Sequence, residues 1–130
     1  TFNADGKTDI LIRVSGKNIF IGECKFWKGP KAFTSAIDQL LGYAAWRDTK
    51  LALVVFNRNR NTTSVVAQIP TLVKAHGSFK RLVPYQRESA FRFLLGASTD
   101  RNRELILTVL VFDVPEPDEG LKAHSTTDTL

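Results

Sequence analysis

The chain has 130 residues, 43% of them hydrophobic, which is enough for one sizeable core and too little for two ordinary domains. No window approaches the roughly 18 consecutive apolar residues of a membrane span, and the start lacks the basic-then-apolar layout of a secretory signal, so a soluble cytoplasmic protein is expected. The net charge of +5 and pI near 9.6 point to an anionic partner, while the single Cys24 excludes an internal disulfide and, with two distant histidines, a structural zinc site.

Residues 8–14 and 18–26 are β-branched and apolar, with Ser15, Gly16 and Lys17 between them, and predict a β-hairpin. Apolar side chains occupy both alternating sets of positions, which predicts strands central in the sheet and covered on both faces. Lys28-Gly29-Pro30 breaks the second strand. Phe33, Ala36, Ile37, Leu40, Leu41 and Ala44 then form one apolar stripe over 31–47, the spacing of a helix. Leu51 to Phe56 is the short apolar run of a buried strand following a crossover helix. A polar loop, Asn57 to Asn61, leads to a helix capped by Thr62 or Thr63 that carries Val65, Val66, Ile69, Leu72 and Val73, with Pro70 inside it and Gly77 as its stop. Further strands are predicted at 79–86, 89–95 and 104–113. The reading is an α/β domain over 1–114 with a mixed central β-sheet flanked by helices, and a loose tail over 115–130 rich in Pro, Glu, Ser and Thr. The absence of methionine and the abrupt start at Thr1 suggest a piece of a larger parent protein with additional domains.

Charge on strands that otherwise read as buried is the informative feature. Glu23 and Lys25 are two apart, so a strand directs both side chains to one face with Cα atoms roughly 6 to 7 Å apart. Burying ionised groups there is costly unless they are paired or bind a metal. Asp9, near the start of the partner strand, could add a second carboxylate. Two carboxylates, with the backbone carbonyl of Cys24 between Glu23 and Lys25, suit a hard cation such as Mg²⁺, for which Mn²⁺ can substitute. Such a cation acidifies a water and neutralises charge on a phosphate, and Lys25 would orient that water or stabilise the transition state.

Gly6-Lys7-Thr8-Asp9 followed by Gly22-Glu23-Cys24-Lys25 resembles the PD-(D/E)xK nucleases, the restriction-endonuclease-like superfamily with an αβββαβ core. Gln39 and Tyr43, four apart and so on one helix face, resemble the QxxxY motif of its helicase-associated exonuclease branch. The resemblance spans about residues 6 to 57. It implies a Mg²⁺-dependent deoxyribonuclease in which Asp9 and Glu23 hold metal, Lys25 assists attack, and Gln39 and Tyr43 touch the lysine, the water or the DNA backbone. Thr8 stands where the motif has proline. The family's first helix, which often carries an acidic residue of the site, has no counterpart before Asp9, so the chain reads as lacking a ligand and part of its core. A catalytically inactive nucleic-acid-binding or assembly module of the same fold is the alternative.

Asp9 can share a face with Glu23 and Lys25 only if paired residue numbers in the hairpin sum to an even value. A loop of Gly16, Lys17 and Asn18 would achieve this, pairing Ser15 with Ile19 and Asp9 with Lys25; a Gly16-Lys17 turn would not, unless a bulge intervened. Lys28, Lys31, Arg47, Arg58 and Arg60 flank the site and suit phosphate contacts, although a solvated basic surface accounts for them equally. Phe26 and Trp27 could stack on a base, with core packing as the default. His76 and His124 lack a metal partner at useful spacing and receive no role. A homodimer would suit cutting of both strands of a duplex.

Overall fold

The computed structural model describes residues 10–14, 17–44, 50–85 and 87–114. The elements run β1 (Ile10–Val14), β2 (Lys17–Phe26), α1 (Pro30–Tyr43), β3 (Lys50–Asn57), α2 (Thr62–Lys74), β4 (Phe79–Val83), β5 (Ala90–Gly96) and β6 (Glu104–Asp113). They build one six-stranded sheet in the order β1-β2-β3-β6-β5-β4. β2, β3 and β6 are parallel to their neighbours among themselves, while β1 and the β5–β4 pair run antiparallel at either side. A parallel β2–β3 pair requires a crossover, and α1 supplies it.

The apolar stripe of α1 is buried as its spacing predicts: Phe33, Ala36, Ile37, Leu40 and Leu41 all face inward. The helix ends at Tyr43, earlier than the predicted 47, with Ala44 already extended after Gly42, a poor helix former. α2 continues through Pro70 and buries Val65, Ile69 and Val73. β4 stops at Val83 rather than 86, because Pro84 has no N–H to donate to a ladder.

Both helices pack on the same face. The odd-numbered residues of the strands, including Ile21, Leu51, Leu53, Val55, Phe93, Leu95, Leu107 and Val109, join α1 and α2 in a single core. Among the described residues no helix covers the opposite face, where Ile10 is 41% and Ile12 48% exposed. Among the described strands β1 lies at the edge of the sheet, which corrects the expectation of a central place for it. Apolar residues at both sets of positions do not by themselves prove two covering layers.

The predicted loop over 16–18 is also corrected. Val14 pairs with Lys17, leaving Ser15 and Gly16 between the paired ends. A shift between Ile12 and Arg13 then leaves Ile19 as an extra residue, so the paired numbers sum to an odd value at Val14↔Lys17 and an even one at Ile12↔Phe20 and Ile10↔Gly22. A bulge restores the face that the turn alone would have inverted.

Candidate active site at the carboxyl ends of the parallel strands

Glu23 and Lys25 lie on β2 opposite Leu53 and Val55 of β3, and their odd positions direct them toward α1. Glu23 is 1% exposed, on the strand face that carries the apolar core. Lys25, half-buried, lines a cavity of about 550 Å³ together with Trp27, Lys28, Phe33 and Gln39. From the helix side, Gln39 Nε2 donates to Tyr43 Oη at 3.0 Å, a bond that the four-residue spacing makes possible. The fold thus brings Lys25, Lys28 and Gln39 to one cavity and ties Tyr43 to it through Gln39. Lys31 is exposed on the first turn of α1.

Asp9 and Arg47 lie outside the described residues. Among the described residues no three His, Cys, Asp or Glu side chains gather where they could hold a metal ion. Glu23 fits as one oxygen donor. Trp27 N–H donates to Phe56 O of β3, so on a regular strand the odd residues address β3 and the Cys24 carbonyl addresses the β1 side. The thiol of Cys24, on the face away from Glu23, is half-buried.

The local sequence makes this edge receptive to anions. Gly29 adopts φ 104°, a conformation that L side chains resist, and Pro30 opens α1 behind it. Neither helix has a side-chain cap or an acidic residue in its first turn. Uncapped helix starts carry partial positive charge, here beside Lys28, Lys31, Arg58 and Arg60. Asp113 opposes this cationic run from the end of β6, in register with Asn57.

Asn57 is the residue whose importance the sequence hid. It is fully buried, and its Nδ2 lies 3.2 Å from Asn59 O, 3.1 Å from Asn61 Oδ1 and 2.9 Å from Thr62 Oγ1. Two N–H groups thus serve three acceptors, while Oδ1 accepts the Asn59 N–H at 3.4 Å. This side chain folds the Arg58–Arg60 loop back onto the start of α2. Its signal was an amide residue immediately after an apolar strand, the type that bonds backbone two residues on. Asn57→Ala should cost about 2–3 kcal/mol through these orphaned groups. Urea denaturation of the variant checks it.

His76, given no role above, ties the helices together. Its Nδ1 accepts the Ser78 N–H at 3.0 Å, which leaves the proton on Nε2 to meet Asp38 Oδ1 of α1 at 2.6 Å. His124 lies outside the described residues. Trp27 packs on Phe33, ring centroids 5.8 Å apart, and so follows the core-packing default. Phe26 instead points to the helix-free face, where the Arg58 guanidinium sits 3.6 Å from its centroid.

No helix among the described residues is long and apolar enough to cross a membrane. No family model matches the chain, and neither does any curated protein or solved structure.

Proposed function

We propose that this domain is a nuclease of the PD-(D/E)xK type that hydrolyses DNA phosphodiester bonds with Mg²⁺ or Mn²⁺. The observation that carries the reading is the meeting of Lys25 and Gln39 in one cavity, with buried Glu23 two residues earlier on the same strand face. The order hairpin, helix, parallel strand from β1 to β3 supports a restriction-endonuclease-like core, whose last four elements are arranged ββαβ.

Glu23, the Cys24 carbonyl and Asp9 are the proposed cation ligands. The cation, when bound, supplies an acidified water and neutralises phosphate charge. Lys25 offsets negative charge developing on the phosphate from inside a cavity that limits solvent screening. Gln39, braced by Tyr43, presents its remaining amide groups to the lysine or to a substrate oxygen. Lys28 and Lys31 hold the flanking backbone, and Arg47 is proposed for the same task.

The alternative is a catalytically inactive nucleic-acid-binding or assembly module of the same fold. Calorimetric titration of Mg²⁺ and Mn²⁺ into wild type and Glu23→Gln separates the two. The nuclease reading expects binding that the isosteric variant loses. Absence of binding in well-folded wild type would favour the inactive module.

A further inference from the structure

The helix-free face carries a row of rings, of which Phe26 also borders the candidate-site cavity. Phe26, Phe56 and Phe112 occupy matching positions on β2, β3 and β6, paired Phe26↔Phe56 and Phe56↔Phe112. Their centroids are 5.9 and 6.0 Å apart. Phe26 and Phe56 are half-buried and Phe112 is 49% exposed. They lie outside the core, which is filled by the odd-numbered residues on the other face.

Both ends of the row carry arginine. Arg58 covers Phe26 at one end. At the other, Phe112 shares a cavity of about 350 Å³ with Tyr85, Arg87 and Glu88. The guanidinium of Arg87 lies 5.7 Å from the Tyr85 centroid, and that of Arg92 lies 4.2 Å from it. Arginine beside an aromatic ring makes a surface that attracts phosphate and accepts a base face together. The row also begins one residue after Lys25, so β2 leads directly from the cavity to the rings. A duplex keeps its bases stacked on one another; only an unpaired strand can offer their faces.

We propose that Phe26, Phe56 and Phe112 form a base-stacking platform for single-stranded nucleic acid, with Arg58, Arg60 and Arg87 on its backbone. Its place beside a hydrolytic centre rests on the nuclease reading, whereas the binding itself stands on the ring row. A strand whose phosphate reaches Lys25 passes over the carboxyl edge of the sheet and lays its neighbouring bases on the rings.

The test is fluorescence anisotropy of the full chain with a labelled oligothymidylate and with a duplex of equal length, in EDTA to prevent hydrolysis. Wild type should prefer the single strand, and Phe112→Ala should weaken that binding about 10-fold, the loss of one stacked base, with duplex binding unchanged. Phe112→Leu, which keeps the apolar surface without the ring, should weaken it similarly and guards against a folding artefact. Equal affinity for both nucleic acids, or unchanged binding in both variants, overturns the proposal. A wild-type dimer that Phe112→Ala dissociates in sedimentation, with no effect on oligothymidylate, would assign the face to a second copy and overturn it too. Phe112-dependent binding without cleavage in Mg²⁺ or Mn²⁺ would sink the nuclease reading alone, and cleavage with Phe112-independent binding would sink the platform alone.

Discussion

Lys25→Ala should reduce the rate of strand cleavage about 10²- to 10³-fold, the typical cost of removing one preorganised group that stabilises transition-state charge. The affinity for DNA in EDTA should hardly change, because Lys28, Lys31, Arg58 and Arg60 remain at the same edge. The contrast between the two effects is the informative part. A lysine acting only as a surface phosphate contact would lose affinity and flatten its salt dependence, leaving turnover of bound substrate intact. Lys25 differs from such a residue in lining a cavity with Gln39, on a strand whose register is set by pairing with Val55 of β3. Single-turnover cleavage at saturating enzyme, compared with anisotropy on the same samples, measures both quantities. Cleavage unchanged in the variant would remove Lys25 from the chemistry.

Phe93→Ala should destabilise the fold by about 3–5 kcal/mol, the range for emptying a large aromatic site in a packed core. Phe93 is fully buried on β5, opposite Leu107 of β6. Its ring meets Phe79 edge-on at 6.4 Å and stacks on Phe91 at 6.3 Å. β5 joins the β4 edge to β6, and α2 packs over the same region, so the cavity would open where several elements meet. Urea denaturation should show a lower midpoint with little change in slope. A loss below about 1 kcal/mol would mean that the site collapses around the deletion, and that the core is less tightly packed than the burial implies.

Much of the architecture could be read from residue order. The α1 stripe, the buried run of β3 and the long apolar β6 each follow from periodicity, and the crossover between β2 and β3 follows from their spacing. What periodicity could not convey was which face of the sheet the helices choose. In β2, β3 and β6 both sets of positions are apolar, and the natural reading was a layer on each side; the structure puts both helices over the odd set, leaving Phe26, Phe56 and Phe112 as a row on the other. Residue spacing also could not show that β6, the last of the described strands, would insert beside β3, since that pairing is non-local. At the site, Glu23, Lys25 and Gln39 were visible because charged or amide groups interrupt apolar patterns. Asn57 was not, because a polar residue beginning a polar loop looks solvated until its burial is known.

The central claim is metal-dependent hydrolysis centred on Glu23. The most direct measurement incubates circular single-stranded DNA and supercoiled duplex with wild type and Glu23→Gln, in Mg²⁺, in Mn²⁺ and in EDTA. The account predicts cutting by wild type with either metal and none in EDTA or with the folded variant. No cutting by a folded, metal-binding wild type, or undiminished cutting by Glu23→Gln, would contradict it.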